Sequence, residues 1–142
     1  LISIPWIDDQ LVVFCAPDHP WAGKPWLTDE DILEIDWILR EPGSGTRQTF
    51  DRSMHGLVAR LKPPLELQHT EAIKRAVEAG LGFGCLSTLS VKDAFIRGTL
   101  VPIPVPQRPL DRQFYLVLHR QKFRSRAIQK WIEFCGEHAV ID

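Results

Sequence analysis

The residues best suited by type and spacing to meet a ligand lie in WILREPGSGTRQTF, residues 37–50. An apolar run with strand character leads into Gly43-Ser44-Gly45-Thr46, and an apolar helical stripe follows. Gly43 and Gly45 allow close backbone approach. Ser44 and Thr46 bring hydroxyls, and the first turn of a helix brings unpaired N–H groups. Such a pocket suits a carboxylate, a sulfur oxyanion or a phosphate. The simpler reading is that Ser44 or Thr46 only caps its own helix, and spacing alone leaves both open. Catalysis is a poorer fit. No Gly-Lys-Ser/Thr completes a phosphate loop, and Ser44 lacks the flanking glycines of a nucleophile elbow. Nor does sequence bring His19, His55, His69, His119 or His138 beside Ser44 as a triad needs.

A second polar spot is His69-Thr70, just before an apolar-striped helix over 71–79. Thr70 reads as the N-cap of that helix, and both residues stand where a ligand opposite Ser44 could be met. His69 is open to three readings: exposed loop residue, capping aid or ligand contact. Gly80-Leu81-Gly82-Phe83-Gly84 looks like a nucleotide loop, but it follows a helix and precedes a strand, the reverse of the dinucleotide fingerprint. It reads as a helix stop and a tight strand entry. No histidine or carboxylate spacing matches a metal site, and nothing implies a cofactor. Cys15, Cys85 and Cys135 are odd in number and lack a CxxC spacing, so buried thiols in a reducing cytoplasm are expected.

The elements that must position these residues alternate. Strands are expected over 1–4, 10–16, 37–40, 65–68, 83–86 and 113–119, with an irregular edge over 100–105 because of Pro102 and Pro104. Helices are expected from a Thr28/Asp31 capping pair to Ile35 and from Thr46 through a stripe of Phe50, Met54, Leu57, Val58 and Leu61. Others follow over 71–79, over 90–97 and after Ser125. That order predicts an α/β fold with mostly parallel pairing.

The 142 residues suffice for one domain, and 44% hydrophobic with 25% charged residues marks a globular chain. A net charge of -1 argues against a dedicated nucleic-acid surface. The basic cluster Arg108, Arg112, Arg120, Lys122, Arg124, Arg126 and Lys130 is expected to be a solvated face, since its spacing forms no single stripe. No apolar run is long enough to span a membrane.

In order and spacing, DDQLVVFCAPDHPWA, LREPGSGTRQTFD, HTEAIKRAVEAGLGFGCLS, IRGTLVPIPV and RQFYLVLHRQKFRSRAIQKWIEF resemble the effector-binding domain of LysR-type transcriptional regulators, over the whole chain. The resemblance implies a type 2 periplasmic-binding-protein-like fold: two α/β subdomains, two crossover strands and an effector in the cleft. Residues 16–115 would form the second subdomain. Residues 1–15 and 116–142 would supply crossover strands and the closing part of the first. The family's N-terminal helix-turn-helix, its linker helix and the opening part of the first subdomain have no counterpart here, which suggests a fragment or a truncated form.

Carried over by position, Ser44, Gly45, Thr46, His69 and Thr70 match effector-contact places, whereas Glu41 and Arg47 are expected to be structural. The helix over 71–79 and the strand after it resemble the family's dimer surface. The expected function is sensing a small, anionic effector, with no catalysis. DNA would be bound only through the helix-turn-helix domain, in a homodimer or homotetramer. The alternative is a solute receptor for a transporter, which would need an export signal and is disfavoured mildly by three thiols.

Overall fold

The computed structural model describes residues 2–118 and Lys130, with side chains from Asp9 to Arg112 and at Lys130. The chain divides into two compact units: Gln10–Leu110, and the flanking segments 1–9 with 111–142.

In Gln10–Leu110 the strands are β1 (Ile2–Cys15, entering from the flanking segment), β2 (Trp37–Arg40), β3 (Leu65–Leu67), β4 (Phe83–Ser87) and β5 (Val101–Pro102). Their order is β3-β2-β4-β1-β5, and β6 (Asp111–Leu118) also pairs with β1. Strand β2 is parallel to β3 and β4, while β1 runs antiparallel to β4 and β5. The sheet is therefore mixed, not mostly parallel. The parallel strands are linked by helices, whereas β1 enters against their direction.

The helices are α1 (Asp29–Glu34), α2 (Gly45–Ser53), α3 (Thr70–Glu78) and α4 (Thr88–Arg97). Thr28 and Asp31 form the expected capping box. Apolar residues cover both faces of the sheet. On one, Trp37, Leu39, Phe50, Met54, Phe83 and Ile103 pack together. On the other, Phe14, Ile38, Ile73, Val77, Leu86 and Val91 do so.

Several expectations change. Helix α2 ends at Ser53, and a 3-10 turn follows at Val58–Arg60, instead of one helix reaching Leu61. Gly56 at φ +84° turns the chain there. Met54 and Leu57 still reach the core, but Val58 is exposed. Helix α4 begins at Thr88, two residues before the expected start, because Ser87 caps it by accepting from the Leu89 N–H at 3.3 Å. Strand β1 is continuous where two strands were expected. Asp8-Asp9 does not interrupt it, since Asp9 is buried and its Oδ2 accepts from Arg112 Nε at 2.9 Å. The final helix lies outside the described residues.

Arg108 fastens the return of the chain. Its Nε and Nη2 donate to the Asp29 carboxylate at 3.1 and 2.9 Å, and its Nη1 donates to the carbonyls of Ser53 and His55 at 3.1 and 2.7 Å. Two residues further on, the Leu110 carbonyl accepts from the Leu11 N–H at 3.0 Å. Within the basic cluster, Arg108 and Arg112 are thus ion-paired and not free surface charges. Hydrogen bonds from Arg108, then Gln107, hold the Asp29 carboxyl below its ordinary value. A depressed carboxyl stabilises above its unfolded pKa and loses that contribution as pH falls through its folded pKa. The stability gap between the parent and Arg108→Met is therefore expected to narrow in urea unfolding below about pH 4. A gap constant from pH 7 to pH 3 would contradict this linkage.

Candidate functional site

Because β2, β3 and β4 are parallel, the chain leaves all three at the same edge. There it starts α2 after β2, α3 after β3 and α4 after β4. Ser44 and His69 leave the sheet just beyond Arg40 and Leu67, which are register partners. The Ser44 loop and the His69-Thr70 turn thus share one edge, with Ser87-Thr88 on the other side of β2. In open α/β sheets ligands bind outside the carboxyl ends of parallel strands, where helix N-termini offer N–H groups and partial positive charge.

Ser44 is buried, and its Oγ accepts from the Arg47 N–H at 3.0 Å, so it caps α2. The Ser44 N–H donates to Glu41 O and the Gln48 N–H to Ser44 O. The N–H groups of Gly45 and Thr46, in the first turn, donate to no acceptor among the described residues. Thr46 is a largely buried residue, and its hydroxyl makes no hydrogen bond among the described residues but is not one of the fully buried unpartnered atoms. In α3 the N-cap is His69, with no side-chain capping bond, and Thr70 is the first helical residue. The expected capping role of Thr70 is therefore not what the structure has: the chain enters the helix one residue earlier.

Arg47 is structural, as expected. Arg47 Nη1 donates to the Arg40 carbonyl at 3.0 Å and to Glu66, and its Nε to Asp51 at 3.1 Å, which ties β2, β3 and α2 together. Arg40 Nε stands 2.8 Å from Glu41 and, by that hydrogen bond first, lowers the Glu41 pKa. Sequence reading missed Ser87-Thr88 at this edge. Its signal was the hydroxyl pair just before LSVKDAF, overlooked in favour of Ser90.

Burial pushes the Cys15 thiol up to about 11, with Asp18 adding to the shift, which makes it a packed thiol and a poor nucleophile. Among the described residues no group of His, Cys, Asp and Glu could hold a metal ion. No helix among them is long and apolar enough to cross a membrane.

The model of the LysR substrate binding domain matches residues 1–140. The chain belongs to this family. An uncharacterized HTH-type transcriptional regulator of Escherichia coli K12, YeiE, is 42% identical over 135 residues, 95% of this chain and 46% of that protein. A RuBisCO operon transcriptional regulator of Allochromatium vinosum is 34% identical, over 95% of this chain and 45% of its own length. The LysR substrate-binding chain described here thus spans under half of these relatives. Among solved structures, the Synechocystis PCC6803 CcmR regulatory domain in complex with 2-PG superposes with a TM-score of 0.82 at 29% identity. It covers 96% of this chain and 65% of that one. The fold is therefore the type 2 periplasmic-binding-protein-like fold of LysR regulatory domains, as the resemblance implied.

Proposed function

We propose that the edge carrying Ser44, Gly45, Thr46, His69 and Thr70 is an effector-binding wall, and that the effector is a small anion: a carboxylate, sulfur oxyanion or phosphate. One observation carries this reading. Three helices begin at this edge, and within it the Thr46 hydroxyl makes no hydrogen bond among the described residues and is left to meet a ligand. The 2-PG complex of the CcmR regulatory domain supports a small-molecule role for a domain of this family. In the whole regulator, residues 16–115 would act as the second subdomain. DNA would be contacted by a helix-turn-helix domain outside this chain, in a homodimer or homotetramer. The transport-receptor alternative is not favoured, because the relatives named above are transcriptional regulators.

Thr46→Val and Ser44→Ala separate the two roles of this loop. In calorimetric titration with inorganic phosphate, sulfate and small carboxylates, the parent is expected to bind at least one of them. Thr46→Val should weaken that binding by about 1 kcal/mol, the scale of one hydrogen bond, with little change in denaturant stability. Ser44→Ala should also lose about 1 kcal/mol of stability, because it removes a helix cap. If both variants bind the same anion as tightly as the parent, the site assignment is wrong.

A further inference from the structure

The opposite edge of the same sheet holds a cavity of about 340 Å3, lined by His19, Trp21, Glu34, Asp36, Gly82 and Phe83 among others. We propose that it is a second small-molecule site, separate from the Ser44 edge, and that it takes a small organic cation: an ammonium on a short apolar frame.

The lining chemistry points one way. Two acidic residues, Glu34 and Asp36, are among the lining residues, none of which is a lysine or arginine, and Asp36 pairs with Lys62 from outside that set. Helix α1 ends at the cavity through Glu34 and Ile35, with no basic residue in its last turn. Helix α3 ends there through Gly80, just after its C-cap Ala79. Helix C-termini carry partial negative charge and favour cations. The Ser44 edge, where helices begin, has the opposite polarity.

The aromatic part of the wall is a built cluster. The rings of His19 and Phe83 lie edge to face at 4.8 Å between centroids, and Trp21 meets both at 6.1 and 6.2 Å. Their placement is held by the backbone: the Trp21 N–H donates to His19 Nδ1 at 2.9 Å, and the Phe83 N–H to the Asp36 carbonyl at 3.0 Å. Aromatic faces attract ammonium groups, and this one already does. Lys24 Nζ sits 4.3 Å from the Trp21 ring centroid. At the acidic side, Lys62 Nζ donates to the Glu34 carbonyl at 2.9 Å and stands 3.9 Å from Asp36. The chain's own ammonium groups thus settle against both kinds of wall. Meanwhile the Glu34 carboxylate makes no ion pair among the described residues. A volume near 340 Å3 falls in the range of small-ligand pockets.

The test uses tetramethylammonium and putrescine as cations and tert-butanol as an uncharged control of similar bulk, followed by calorimetry and by tryptophan fluorescence. Saturable binding of at least one cation, with no saturable binding of tert-butanol, is expected. The double variant Glu34→Gln/Asp36→Asn should weaken it roughly threefold or more, the scale of solvent-facing ion pairs. It should leave any anion binding at the Ser44 edge unchanged. Trp21→Leu should remove the fluorescence response; should that variant fold poorly, the carboxylate double variant decides alone. Absence of saturable cation binding overturns the proposal. So does equal binding of tert-butanol, or unchanged cation affinity in the double variant.

Discussion

Gly82→Ala is expected to cost about 3 kcal/mol of folding stability or more, the combined scale of a strained backbone and an overpacked core. A Cβ at this position would lie 2.0 Å from the Asp36 carbonyl oxygen and 3.0 Å from its carbon. Both are backbone atoms, so no side-chain rotation relieves the collision. Moving Asp36 away is no remedy, because its carbonyl accepts the Phe83 N–H where β2 and β4 come together. The φ of +157° adds strain for any side chain. Gly80→Ala is the internal comparison. Gly80 has φ +84°, but its Cβ would meet open space, so only the left-handed conformation counts, at about 1–2 kcal/mol. Guanidinium unfolding of both variants checks the pair. A Gly82→Ala protein within 1 kcal/mol of the parent, on the scale of ordinary surface changes, would contradict the close approach.

The second large effect lies in the flanking unit. Asp9→Leu is expected to destabilise by about 3–5 kcal/mol, because it leaves the charge of a buried arginine without its carboxylate. The side chains of Arg112 and Asp9 are only 7% and 2% exposed, and their contact is 2.9 Å. The pair itself need not be strongly stabilising, since taking two charges out of water offsets much of their attraction. The double replacement Asp9→Leu/Arg112→Met should therefore recover most of the loss. A double-mutant cycle in urea measures the difference. Additive losses, with the double variant the least stable of the set, would show that the two side chains act independently.

Local chemistry with short sequence range was legible from the residues. The Thr28/Asp31 box, the β2 strand at Trp37–Arg40 and the apolar stripe of α3 all depend on neighbours within a turn or two. The Ser44 loop was legible as a pocket or a cap, and its hydroxyl is a cap in the structure. What was hidden depends on distant partners. The continuity of β1 through Asp9 was hidden, because the buried carboxylate is paired by Arg112, 103 residues away. The mixed sheet follows from the direction in which β1 enters, which no local pattern records. The early stop of α2 was legible in principle: Gly56 follows the helix closely, but the apolar stripe continuing to Leu61 outweighed it. The cavity at the far edge could not be foreseen, since His19, Asp36 and Phe83 become neighbours only through strand pairing.

The hydrogen bond from Leu11 to Leu110 also has a practical side. It places the entry and the exit of Gln10–Leu110 next to each other, and Arg108 holds the exit strand's approach against Asp29. A segment whose ends meet can be spliced into a surface loop of another protein without stretching its host, the arrangement that domain insertion and circular permutation exploit. Residues 10–110 thus have the geometry of a portable cassette: grafted into a fluorescent reporter, they would carry both edges of the sheet, with their opposite polarities, as one transplantable part.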